Sequence, residues 1–204
     1  MAAERTSKGE QTKQRILEAA AQMFWKSSYH SVRVDKIVAK AEVNKASFYQ
    51  YFKNKEQAAL ECVNYMFGRT KEFVFEGAFE SEQDPIKRLE EIFNRLYLAH
   101  KEIKDEDGSI PGCPFMNMGN ELATDSELIR QKVEYVYSEF HHYHQKIYED
   151  AKAMGLTHAE WEPEVIARQL QGVLNSSMAS AKLRNRPEDI IDALPAAKAI
   201  LGVP

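Results

Sequence analysis

The sequence predicts an all-α fold of about nine helices, and three observations carry that prediction. Apolar residues recur three and four apart along most of the chain, as in Leu89, Ile92, Phe93, Leu96 and His100. Long stretches are rich in Ala, Leu, Glu, Lys, Gln and Met, which favour helix. Glycine and proline are few, nine and seven in 204 residues, so helix breakers are scarce.

The elements follow in order. A first helix spans about 10–27 and a second about 33–40, the latter with Val34, Ile37, Val38 and Ala41 at helical spacing. A tight turn at Ala41–Val43 leads to Asn44, whose side-chain oxygen can cap a third helix over about 44–51. That helix buries Phe48 and Phe52. A fourth runs from about 54 to 78, and Ser81–Pro85 is a break. Pro85 suits the first turn of a fifth helix, about 85–103. Lys104–Gly112 reads as a charged loop, and a short sixth helix starts near Pro114. Asp125 can cap a long seventh helix that ends at Gly155. Trp161 and Pro163 open an eighth, to about Arg184, and Pro187 opens a ninth, interrupted by Pro195.

The segment Ser31–Lys55 therefore holds two short helices joined by a tight turn. The second leaves Lys45, Ser47, Tyr49, Gln50 and Tyr51 at or near the surface. This is what a helix-turn-helix reader of the DNA major groove needs. Glutamine pairs bidentately with adenine and lysine donates to guanine, so Lys45, Ser47 and Gln50 are the expected base readers. The methyl of Ala46 can meet a thymine methyl. Tyr49, Tyr51, Lys55 and Arg33 are expected on phosphates.

The run Val43-Asn44-Lys45-Ala46-Ser47-Phe48-Tyr49-Gln50-Tyr51-Phe52-Lys53-Asn54-Lys55-Glu56 resembles the TetR family of bacterial repressors, specifically so over about residues 10–60. The resemblance implies a helix-turn-helix DNA-binding domain over 1–53 and a larger helical ligand-binding and dimerisation domain over 54–204. It implies a homodimer on double-stranded operator DNA, held by the last two helices of each subunit, with Leu170 and Leu174 among the interface residues. Two recognition helices about 34 Å apart require such a dimer. Some positions depart from the family pattern. Glu42 stands where glycine is usual, at a cost of roughly 1 kcal/mol if the turn needs positive φ. Ser28 also replaces a glycine. Val32 and Arg33 replace a hydroxyl pair that caps the second helix, leaving Ser31 as the expected cap.

Charge agrees with this layout. Residues 1–55 hold eleven Lys/Arg against five Asp/Glu, and the remainder sixteen against twenty-six. A basic module on an acidic body is the footprint of a DNA reader with a separate regulatory part. At 44% hydrophobic residues the chain can bury a sizeable core. No apolar run approaches the ~20 residues of a membrane span. The first eight residues lack the apolar core of a secretion signal. Two cysteines without metal spacing suit a cytoplasmic protein.

In the acidic body, Tyr137, Phe140, His144 and Tyr148 share one helix face. With Phe67, Tyr97, His100, Cys113 and Met116, the first three of these are expected to line a cavity for an aromatic or apolar effector. The same residues also read as an ordinary aromatic core. Cys113 has two readings as well, a sensor of electrophiles or oxidants at a helix start and a small buried residue. His141 and His144 lack further ligands, so no metal is expected. No cofactor motif, catalytic triad or phosphate loop is present, and an enzyme on this fold is the distant alternative.

Overall fold

The computed structural model describes residues 7–203. The first six residues, part of the segment read above for a secretion signal, lie outside the described residues. Every regular element among the described residues is helical. The chain forms two compact units, one comprising the chain up to Phe67 with Pro114–Val133, the other Gly68–Cys113 with Glu134 onward.

In the first unit, α1 (Lys8–Lys26) opens on a capping box. The Ser7 hydroxyl accepts from the Glu10 amide and the Glu10 carboxylate accepts from the Ser7 amide. The helix thus begins two residues before the expected start, and the Ser7-x-x-Glu10 pattern is the signal for it. α2 (Val34–Lys40) buries Ile37 and Val38. Its cap position is Arg33 and carries no side-chain bond, whereas the Ser31 hydroxyl, expected to cap it, donates to the Ser28 carbonyl at 2.8 Å. Glu42 does sit at φ 53°, the left-handed conformation its glycine-like position indicated. Its carbonyl accepts from Arg15 at 3.0 Å.

α3 (Lys45–Tyr51) is only seven residues long, too short to stand alone in water. Two interactions hold it. Asn44 Oδ1 accepts from the Ser47 amide at 2.8 Å, as expected of the cap. Phe48 and Phe52 are fully buried and lie 5.3 Å apart. Each such burial stabilises by roughly 1.5–3 kcal/mol. α4 (Lys55–Thr70) buries Ala58, Ala59, Cys62 and Val63, and Cys62 Sγ lies 3.7 Å from the Leu17 carbonyl of α1. α7 (Pro114–Leu122) packs on α1. The capping residue of α8 (Glu127–Ala153) is Ser126 rather than Asp125. Its hydroxyl accepts from the Ile129 amide at 3.2 Å and donates to Glu56 at 2.5 Å.

In the second unit the rod begun by α4 passes through a π-helical turn, Lys71–Glu76, into α5 (Gly77–Ser81). The Gly77 amide reaches back five residues to the Glu72 carbonyl. Arg95 lies over this turn and donates to the Phe73 carbonyl at 2.9 Å. A Cβ on Gly77 would fall 2.3 Å from the Arg95 guanidinium, which would have to shift to make room for it. α6 (Pro85–Asp107) starts as expected, with Asp84 accepting from the Ile86 and Lys87 amides. It runs on through residues read as a loop, with Lys104 and Glu106 favouring helix, until Gly108 at φ 75° ends it in the left-handed conformation.

α9 (Pro163–Arg184) ends on Asn185 at φ 50°. The Asn185 side chain ties back to the loop after α6, bonding the Ile110 amide and the Gly108 carbonyl. α10 (Glu188–Asp192) and α11 (Leu194–Leu201) are the two halves of the interrupted last helix. Both pack on α6 and α9. Counting α4, the π turn and α5 as one rod, and α10 with α11 as another, gives nine helices among the described residues, as expected. No helix among the described residues is long and apolar enough to cross a membrane.

Glycine at position 42 relieves the positive-φ strain but adds chain entropy to the unfolded state. Glu42→Gly is therefore expected to stabilise the protein by about 0.5–1 kcal/mol, read as a higher urea midpoint at unchanged slope.

Candidate nucleic-acid interface and buried polar chain

The first unit turns a polar surface outward on α3 because Phe48 and Phe52 anchor its other face. Lys45, Ala46, Tyr49 and Gln50 are exposed, as is Arg33 at the start of α2. Ser47 is half-buried and its hydroxyl donates to Asn44 Oδ1 at 3.1 Å. Tyr51 is also half-buried, and a Cβ added at Gly9 of α1 would sit 3.3 Å from its hydroxyl. Lys55 is drawn inward, with Nζ 4.0 Å above the Tyr29 ring. Burial lowers its pKa, against the opposing pull of Glu121. The residues expected at DNA thus divide into an exposed set (Arg33, Lys45, Ala46, Tyr49, Gln50) and a set engaged within the unit (Ser47, Tyr51, Lys55).

Two acidic residues that sequence reasoning missed shape this surface. Asp35 accepts an ion pair from Lys45 at 2.8 Å and lies 3.7 Å from Arg33. Hydrogen bonding and charge from Lys45 hold its carboxyl below the usual range and raise the lysine. The second is Glu121 of α7. Its carboxylate accepts from the Ser28 hydroxyl at 2.5 Å, the Tyr29 amide at 2.7 Å and the His30 amide at 2.9 Å. Burial pushes its pKa up, but the bonds from Ser28, His30 and Tyr29 outweigh that and lower it. Glu121 fixes the loop between α1 and α2, and its partners lie more than ninety residues away in sequence. No local pattern marks it.

Six of the eight residues expected to line an effector cavity lie in the second unit: Tyr97, His100, Cys113, Tyr137, Phe140 and His144. Phe67 and Met116 belong to the first. Within the second unit Tyr97 is half-buried and the others are mostly or fully enclosed. Phe75 of the π turn, which sequence reasoning missed, stacks on Phe140 at 4.5 Å and meets the His144 ring edge-on at 5.7 Å. Tyr148, at the end of the same stripe, donates to the Ala159 carbonyl at 2.8 Å and pins the segment before α9.

A chain of polar groups runs through this aromatic core. Cys113 Sγ lies 3.7 Å from the Tyr137 hydroxyl. That hydroxyl donates to Asn175 Oδ1 at 3.5 Å, and Gln171 Nε2 donates to the same oxygen at 3.0 Å. Gln171 Oε1 lies 3.2 Å from His144 Nε2. Gln171 and Asn175 were hidden among the apolar and small residues of α9, where an i, i+4 amide pair is the only trace. Burial pushes the His144 pKa down to about 4, with the Gln171 bond opposing and His141 adding to the fall. Burial also lowers His100, whose Nδ1 donates to the Leu96 carbonyl at 2.7 Å. Burial and Cys113 raise Tyr137. The site is neutral as well as enclosed. Nearer the surface, Ser138, His141, His142 and Gln145 of α8 face Glu164 and Arg168 of α9 across an open cleft of about 170 Å³. No three His, Cys, Asp or Glu side chains among the described residues come together as a metal site.

Two family models match this chain, bacterial regulatory proteins of the tetR family over residues 16–62 and the tetracyclin repressor-like C-terminal domain over residues 85–197. The chain belongs to the TetR family. Among its relatives, an HTH-type transcriptional regulator in the lacX 3′ region of Lactococcus lactis subsp. lactis is 28% identical over 166 residues, 80% of this chain and 81% of that protein. The HTH-type transcriptional repressor DhaR of a Mycobacterium species is 25% identical over 175 residues, 85% and 84% of the two chains. The crystal structure of the regulatory protein TetR from Rhodobacter sphaeroides superposes with a TM-score of 0.79 at 23% identity, covering 94% of this chain and 97% of that one. This TetR-family chain is accordingly a helix-turn-helix transcriptional regulator.

Two outcomes are expected from these sites. Glu121→Ala leaves the Tyr29 and His30 amides without their acceptor, so hydrogen exchange at both should accelerate and stability should fall by about 1.5–3 kcal/mol. For His144, the unfolded chain takes up a proton below its ordinary pKa of 6.5, while the folded chain resists until about 4. Stability is therefore fully present above pH ~6.5 and declines as pH falls to ~4, by about 3 kcal/mol. His144→Phe should flatten that part of the stability–pH curve measured by urea unfolding.

Proposed function

We propose that this TetR-family regulator is a homodimeric repressor whose α3 reads operator bases with Lys45, Ser47 and Gln50, and which releases DNA when a small neutral effector enters its second unit. The observation that carries the DNA reading is the Asn44-capped α3, seated on buried Phe48 and Phe52, with Lys45, Ala46, Tyr49 and Gln50 turned to solvent. Ala46 supplies a methyl for a thymine. Arg33 and Tyr49 hold phosphates. Tyr51 and Lys55 do so from their half-buried positions, with Lys55 leaving the Tyr29 ring. On binding, Arg33 exchanges Asp35 for a phosphate and Lys45 exchanges it for a base edge. The DNA-binding domain in this reading is residues 1–53, and the remainder binds effector and partner subunit.

The effector reading is supported by the enclosed aromatic and polar lining of the second unit. An aromatic or apolar ligand with one or two polar groups suits it. Tyr97, His100, Cys113, Tyr137, Phe140 and His144 contact the ligand there, whereas Phe67 and Met116 belong to the first unit and fall outside this site. Cys113 is buried with its sulfur on the Tyr137 hydroxyl, which favours a packed contact residue over an exposed sensor thiol.

The subunit interface is assigned to α9 and α11, with one change from the sequence expectation. Leu170 and Leu174 are buried within the protomer, so neither reaches a partner. The face of α9 left exposed carries Gly172, Ser176 and Ala179. Small side chains there let a second helix approach closely.

Selection from a random duplex pool tests the DNA reading. A sequence-specific site should emerge whose affinity falls steeply with salt. Gln50→Ala should relax preference at one position and cost roughly 1–3 kcal/mol. Unchanged base preference in that variant would remove Gln50 from the readout. Sedimentation tests the interface. Ala179→Arg should yield folded monomers, whereas Leu174→Glu should unfold the protomer.

A further inference from the structure

The polar chain inside the second unit ends on an atom with no hydrogen-bond partner among the described residues. Proton positions along it follow from residue to residue. Asn175 Oδ1 accepts from both Gln171 Nε2 and Tyr137. With its amide nitrogen committed to Asn175, Gln171 presents its oxygen to His144 Nε2. An amide oxygen only accepts, so His144 carries its proton on Nε2. At the other end the Tyr137 proton points to Asn175, leaving the tyrosine oxygen to accept from the Cys113 thiol. His144 Nδ1 is then a bare lone pair. It is fully buried and makes no hydrogen bond among the described residues. Phe75 meets the ring edge-on, and Phe75 is in turn stacked on Phe140.

We propose that His144 Nδ1 is the anchoring acceptor for the effector, and that the effector is a neutral molecule placing a hydroxyl or N–H donor on this nitrogen from an apolar body. This rests on the effector-responsive reading above and specifies its ligand chemistry. A carboxylate or phosphate would meet a lone pair rather than a donor. Charging His144 to receive an anion would strand a cation in a wall of phenyl rings. An ammonium would shed its water with no carboxylate in the polar chain to receive it. Water can donate to Nδ1, but a buried water needs two to four polar partners, and the chain offers it one open acceptor. A ligand with a single donor on an aromatic or aliphatic frame matches the chemistry of this lining, one open acceptor among aromatic rings.

Nuclear magnetic resonance of the full-length protein labelled with ¹⁵N-histidine tests this, with phenol as donor probe and anisole as its shape-matched control lacking a donor. The free protein should show His144 neutral with the proton on Nε2. Phenol should shift the Nδ1 resonance and bind about tenfold more tightly than anisole, the worth of one hydrogen bond. His144→Phe should erase that difference. Gln171→Leu provides a second route: it removes the acceptor that holds the ring proton on Nε2, so the proton should be shared between the two nitrogens and the phenol preference should shrink. A proton on Nδ1 in the free wild type, equal binding of the two probes, or a phenol preference surviving both substitutions would each overturn the proposal. If the probes bind this unit and ignore His144, only this inference fails. If neither probe binds the unit, the effector reading itself falls with it.

Discussion

The carboxylate of Glu121 holds the loop between α1 and α2 through three short hydrogen bonds, and much of the first unit depends on it. By gripping the Tyr29 amide it sets the position of the tyrosine ring. That ring packs 5.3 Å from Phe24 of α1 and forms the platform beneath Lys55 at the start of α4. One anion on α7 thereby positions the entry to α2, the core of α1 and a cation at the foot of α4. Three donors converging on one carboxylate make the arrangement directional as well as strong. An apolar contact at the same place would tolerate sliding.

The DNA-facing surface is a different kind of construction. Its stability comes from beneath, where aromatic burial and the Asn44 cap hold a helix that cannot stand alone. Its outer side chains are left with weak, exposed partners. The Asp35 carboxylate shared by Lys45 and Arg33 is such a partner. Exposed pairs of this sort are readily exchanged.

What was legible in the sequence was local. Helical period, the Asn44 cap, the strained Glu42 turn and the aromatic face of α8 each depend on residues within one or two turns. The rest depends on partners brought together by folding. Glu121 meets a loop more than ninety residues away, and Asn175 bonds Tyr137 across thirty-eight. The continuation of α6 past residue 103 is not visible in the sequence, because a charged run suits a loop and a solvent-facing helix end alike, and Lys and Glu are good helix formers. Leu170 and Leu174 were assigned to the wrong side of α9 for a related reason. Period identifies an apolar stripe, but two stripes on one helix can face the core or a partner, and only burial tells them apart.

The π turn at Lys71–Glu76 has a consequence for how this chain can change length. A π turn is an α-helix with one residue too many. Removing one residue there restores regular α geometry and leaves the helix beyond it in phase. A deletion that the turn does not absorb would rotate everything beyond it by about 100°. Ala78, which is fully buried, would then be swung out of the core. The turn is thus the one place in this rod where a residue can be lost without a change of phase. The loop around Gly108 has no such phase to keep, so gains and losses of residues among descendants of this chain belong there.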